Sequence, residues 1–263
     1  MPNRFYIQTR GKTVDYGFLC QEPDKAWWRS YGKYTSFEEP TLIIENGQEE
    51  EGGKFYLSGI PSERRDRVNT IIRYTVVAEF SKSEKKLISL VQQFLNETAE
   101  PRSISTLSSS FDKYFPREYV EEVLSSKEGD TSLLRQKFDL LLSELEANSP
   151  LTSEDIDVNE GKEGIWWGGL NNFDSRSRWM SFVSHVLQGQ TGTALLLNLA
   201  SVESLQELSR EDRNMAFLIP ESDRKPQKIN IQAGKKTLWV VGLLILLILL
   251  VIFFILIKIM MPS

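Results

Sequence analysis

The sequence predicts an α+β fold: an antiparallel N-terminal sheet, a helical middle, a β-α-β-α-β C-terminal part and one C-terminal transmembrane helix. Three observations lead there. Short alternating apolar runs crowd the first eighty residues, apolar residues recur at helical spacing between 81 and 147, and Leu238–Ile257 is twenty apolar residues without charge or proline.

The first strand is marked by Phe5, Ile7 and Thr9 alternating with Tyr6, Gln8 and Arg10, the period-2 pattern of a half-buried strand. Further strands are expected at Tyr16–Leu19, Thr41–Glu45, Lys54–Ile60 and Ile71–Phe80. The acidic, glycine-containing insert Asn46–Gly53 has the chemistry of a hairpin loop, and such close spacing favours antiparallel pairing.

Ser81 followed by Glu84 has the pattern of a capping box opening a helix that carries Leu87, Ile88, Leu90, Val91, Phe94 and Leu95. After the serine-rich stretch Ser103–Ser110, a short helix is expected near Phe111. Pro116 suits the first turn of another, and Leu134, Phe138, Leu141 and Leu145 mark one more. The acidic, turn-rich segment Asn148–Gly164 reads as an internal boundary.

From Ile165 the order is a strand (Ile165–Trp167), Gly168-Gly169, a helix from about Asp174 to Gln188, a strand (Thr193–Asn198), a helix (Val202–Leu208) and a strand (Met215–Ile219). Such alternation yields parallel strands. The parts are thus 1–147, 148–219 (separate from or continuous with the first), a polar juxtamembrane linker at 220–236 and a transmembrane helix at 237–258.

Twenty helical residues at 1.5 Å each reach about 30 Å, the thickness of a bilayer's hydrocarbon core. The span runs from Leu238 and Trp239, the latter at an interfacial belt position, through Gly242, Phe253 and Phe254 to Ile257, and is expected to act as a tail anchor. Arg224, Lys225, Lys228, Lys235 and Lys236 precede it against Lys258 after it, which places the large N-terminal part in the cytoplasm. The single cysteine, Cys20, suits a reducing compartment.

Two stretches could carry chemistry. Between two strands, Ser58–Asn69 gathers Arg64, Arg65 and Arg67, with Arg73 on the next strand. Planar guanidiniums suit phosphates and carboxylates, or the arginines simply pair with Glu63 and Asp66 on a solvated turn. In the second stretch, Gly168 and Gly169 lead into a helix bearing Arg176 and Arg178, which would set backbone N–H groups beside a positive helix end. Asp174 is the expected N-cap there. Trp166 and Trp167, adjacent on a strand, must face opposite sides.

Catalytic sets are poorly supplied, with one histidine (His185, expected at the surface) and one cysteine, so no catalytic residue, metal site or cofactor is assigned. A net charge of −5 argues against general nucleic-acid binding. The expected partners are a lipid bilayer, a protein, and a nucleotide or other anionic ligand. The leading reading is an adaptor or sensor whose cytosolic domain localises its ligand to a membrane. A membrane-disrupting effector of a bacterial defence or stress system, clustering on a nucleotide or protein signal, and a membrane-tethered enzyme acting on a phosphate-bearing substrate are the alternatives.

Overall fold

The structure, a computed structural model, describes residues 4–24, 26–35, 39–47, 52–81, 83–100, 105–126, 129–148, 164–209, 214–220 and 222–229. All belong to one compact unit, Met1–Ile229. The expected boundary at 148–164 and the apolar run 238–257 lie outside the described residues, except for Asn148 and Gly164. Among the described residues no helix is long and apolar enough to cross a membrane.

The expected mixed α+β architecture holds as one sheet in the order β2-β1-β5-β4-β3-β7-β8-β6-β9. Its N-terminal half is antiparallel: β1 (Arg4–Thr9), β2 (Gly17–Phe18), β3 (Thr41–Asn46), β4 (Gly53–Arg65) and β5 (Ile71–Phe80). The C-terminal strands β6 (Ile165–Gly169), β7 (Gly192–Leu196) and β8 (Met215–Ile219) are mutually parallel around β8. β7 then pairs antiparallel with β3, Leu42 opposite Leu196 through Asn46 opposite Gly192, so the two sequence-defined parts share one sheet.

Both faces of that sheet are covered. On one lie α2 (Lys86–Ala99), α3 (Thr106–Tyr114), α4 (Arg117–Ser126), α5 (Thr131–Ala147) and α6 (Phe173–Leu187). On the other, α1 (Ala26–Arg29), the 3-10 turn Gly32–Tyr34 and α7 (Val202–Leu208) meet a smaller core. Alternation along the strands divides the side chains. Leu42, Ile44, Trp166 and Ala194 join the large core, and Ile43, Trp167 and Leu195 the small one. Burial of every residue in β6 and β7 follows from this double cover.

Four local expectations change. Ser81 and Glu84 form no capping box: α2 starts at Lys86 with no side-chain cap, and the Glu84 N–H donates instead to Leu187 O at the end of α6 (2.8 Å). The N-cap of α6 is Asn172, whose side chain accepts from Ser175 N, rather than Asp174. His185 is buried, 6% exposed, because α6 lies between the sheet and α2 and is enclosed on two sides. Residues 222–229, assigned by sequence to the linker, instead run along β6 and end in β9 (Gln227–Lys228), antiparallel to it.

Candidate functional site

The arginine stretch is not one loop. β4 runs on through Pro61 to Arg65 by two register shifts, one at Gly59, which has φ +82°. A side chain at Gly59 would strike the Glu39 and Pro40 backbone, so glycine allows both the conformation and the approach. The bulges turn Arg64 inward and leave only Asp66–Thr70 as the connecting turn.

Arg64 is 8% exposed and belongs to a buried network. Its Nε donates to Asp112 Oδ1 (3.2 Å) and Ser62 Oγ (3.1 Å), and its Nη2 donates to Thr9 Oγ1 (3.0 Å). Asp112, on α3, also accepts from Ser62 Oγ (2.6 Å), the Tyr74 hydroxyl (2.9 Å) and Glu63 N (2.7 Å). Burial pushes the Tyr74 phenol far above its ordinary range, which keeps it an O–H donor to that carboxylate. The Arg64 guanidinium also lies 5.0 Å from the Tyr74 ring centre. Arg64 thereby ties β4, β1 and α3 together.

Arg65, Arg67 and Arg73 have a different setting. Arg65 and Arg67 are exposed, and Arg65 Nη1 braces the turn by donating to Asn69 O (2.9 Å). Asp66 Oδ1 accepts from Val68 N (3.0 Å) and Thr70 N (2.8 Å), while Asn69 takes φ +67°. The turn is thus preformed around one carboxylate oxygen. Its tip projects Val68, 80% exposed.

Beside the turn is a cavity of about 210 Å³ lined by Arg10, Tyr16, Asp66, Thr70, Ile71 and Arg73. Register explains its membership. β1 pairs Gln8 with Thr75 on one side and with Phe18 on the other. Two residues further on, Arg10 falls between Arg73 and Tyr16. Arg10 Nη1 pairs with Asp66 Oδ2 at 3.1 Å, its guanidinium lies 5.4 Å from the Tyr16 ring centre, and Arg73 Nη1 donates to Gly59 O (3.2 Å). Arg73 N donates to the Tyr16 hydroxyl (3.2 Å). Sequence reasoning selected Arg73 and missed Arg10 and Tyr16, because no local pattern links residue 10 to residue 73. The pairing of β1 with β5 supplies that link.

At the second stretch, the N–H groups near the glycines are already engaged by the end of β8 and the chain after it. Gly169 N donates to Arg224 O (2.9 Å), Asn171 N to Ser222 O (3.0 Å) and Leu170 N to Ile219 O (3.0 Å). A Cβ on Gly169 would overlap the Ser222 carbonyl, and one on Gly168 would overlap Ser175 Oγ. Gly169 therefore admits a strap, Ser222–Lys228, against β6, and Gly168 admits the start of α6. Arg176 pairs with Glu100 (2.8 Å), and the Arg178 guanidinium lies 5.0 Å from the Trp166 ring centre. Four strand steps separate β4 from β6, about 19 Å of sheet, and none of Gly168, Gly169, Arg176 or Arg178 lines the Arg10–Arg73 cavity.

The chain matches no protein-family model, and no curated protein or solved structure is significantly similar to it. Its function has to be read from these sites. Cys20 packs beside Gly129 and Tyr119, and burial raises its thiol pKa above the ordinary value. His185 lies within α6, and among the described residues no group of His, Cys, Asp and Glu is placed to hold a metal.

Proposed function

We propose that this is a single-pass, tail-anchored membrane protein whose Met1–Ile229 unit works at the cytoplasmic surface as a binding module. It takes an anionic ligand, or the acidic segment of a protein partner, at the β4–β5 hairpin and localises it to the membrane. One observation carries the binding half of this reading. The turn 66–70 is preorganised by Asp66, and it holds Arg65 and Arg67 exposed next to a cavity lined by Arg10 and Arg73. Preformed donors lose little entropy on binding, and guanidiniums match carboxylate and phosphate geometry. The anchoring half is supported by the run Leu238–Ile257 and its flanking lysines.

Both halves are open to test in the full chain. Membranes from expressing cells are extracted with alkaline carbonate. Full-length protein stays in the membrane pellet, and a chain ending at Ile229 is released; release of both ends the anchoring claim. Affinity capture is then compared between wild type and the double variant Arg65→Glu/Arg67→Glu. Charge reversal lowers recovery of the specific partner at least tenfold with membrane location unchanged, whereas equal recovery rules the hairpin out as the binding face.

A further inference from the structure

The cavity beside the hairpin is narrower in purpose than an anionic face. Its volume of about 210 Å³ lies below the roughly 300–1,000 Å³ of pockets that enclose drug-sized molecules, and suits one phosphate-sized head group rather than a whole nucleotide. Strand register brings Arg10 and Arg73 to neighbouring positions, where like charges repel. Asp66 is the carboxylate in the lining, and its Oδ1 is committed to two backbone N–H groups of the turn. Only Oδ2 reaches Arg10. Arg10 Nε is buried and has no hydrogen-bond partner among the described residues. Two guanidiniums thus line a space in which a single carboxylate oxygen, paired with Arg10, offsets their charge, while Arg73 donates to the neutral Gly59 carbonyl. The rim at Ile71 and the adjacent Val68 are exposed and apolar.

Resting on the reading of this hairpin as a binding face, we infer that the cavity is a site for a single phosphate or phosphate-ester head group. The head group accepts hydrogen bonds from Arg10 and Arg73 and takes the place of Asp66 Oδ2 at Arg10. The body of the ligand leaves past Ile71 and Val68, which favours an ester with an apolar substituent over bare phosphate. That ester is either a soluble alkyl phosphate or a lipid head group.

The test uses full-length protein in detergent micelles, titrated by calorimetry with inorganic phosphate, butyl phosphate and dihexanoyl phosphatidic acid. Butyl phosphate is expected to bind saturably and more tightly than phosphate. Saturation by phosphatidic acid alone assigns the site to a lipid head group, and saturation by the soluble probes assigns it to a soluble ester. Arg10→Gln and Arg73→Gln should each weaken binding at least tenfold. Asp66→Asn retains the Oδ1 acceptor that shapes the turn and removes the competing charge, so it should tighten binding at least threefold. This third variant answers for the case in which loss of an arginine perturbs the fold. No saturable binding by any probe, or equal affinities across the three variants, overturns the site. Arg65 and Arg67 lie outside the cavity lining. A capture result that depends on them without any head-group binding would remove this site and leave the hairpin reading standing.

Discussion

Asp112 holds four groups together beside the hairpin. It accepts from Ser62, Glu63 N, Arg64 and Tyr74, and it is the ionic partner of a guanidinium that is itself only 8% exposed. Removing one member of a buried pair leaves an uncompensated charge, typically about 3–5 kcal/mol. Asp112→Ala is therefore expected to lose about that much in urea denaturation. Tyr74→Phe, which deletes one hydroxyl and keeps the pair, should lose about 1 kcal/mol. A loss for Asp112→Ala no larger than that for Tyr74→Phe would mean that Arg64 re-partners or reaches solvent. This network also marks what the sequence could convey. Arg64 was visible as one of four arginines, but its burial depends on two bulges in β4 and on a carboxylate forty-eight residues away. Spacing within the stretch carries neither fact.

Secondary-structure elements were more legible than sites, and the contrast has a physical reason. β5 spans the expected Ile71–Phe80, and α5 buries the four residues that define its period. Those signals are local. α6 falls within a residue of its expected bounds, yet Ser181, Ser184 and His185 are buried with its apolar residues, because the helix touches α2 as well as the sheet and periodicity does not report a second packing partner. Contacts between helices can be tested at Glu144 of α5. Its carboxylate accepts from Lys113, from the Tyr114 hydroxyl (2.7 Å) and from Ser110 (3.1 Å), all on α3. Lys113 first, then the hydroxyls, hold its pKa below the ordinary carboxylate value. A depressed folded-state pKa adds stability that is present above about pH 4.3, the unfolded value, and is lost as pH falls through the folded value. Melting temperatures measured across that range should show wild type losing its advantage over Glu144→Gln on acidification. The contact is solvent-accessible, so the difference is modest, and an advantage that grew on acidification would reverse the assigned sign.

At the scale of the molecule, the join between β3 and β7 decides how the chain behaves. Sequence composition suggests a boundary near 148, yet the antiparallel pairing Leu42–Asn46 with Gly192–Leu196 carries one ladder across it. Long-range pairing of this kind leaves no trace in local composition, which is why the two parts could be drawn separately but not joined. A shared sheet and core imply a single cooperative unfolding unit. Tryptophan fluorescence and far-UV circular dichroism should therefore trace coincident denaturation curves for the full-length protein in micelles; two separated transitions would mean that the parts fold independently. The β9 edge of the sheet has a mechanical character. Ile229 N bonds Ile165 O, the β9 pairs follow, then Gly169 N–Arg224 O, and Asn171 N–Ser222 O comes last. A pull on the chain beyond Ile229 would meet these bonds one after another rather than all together. The strap would then peel at low force, while the ladders behind it stay loaded in parallel and hold.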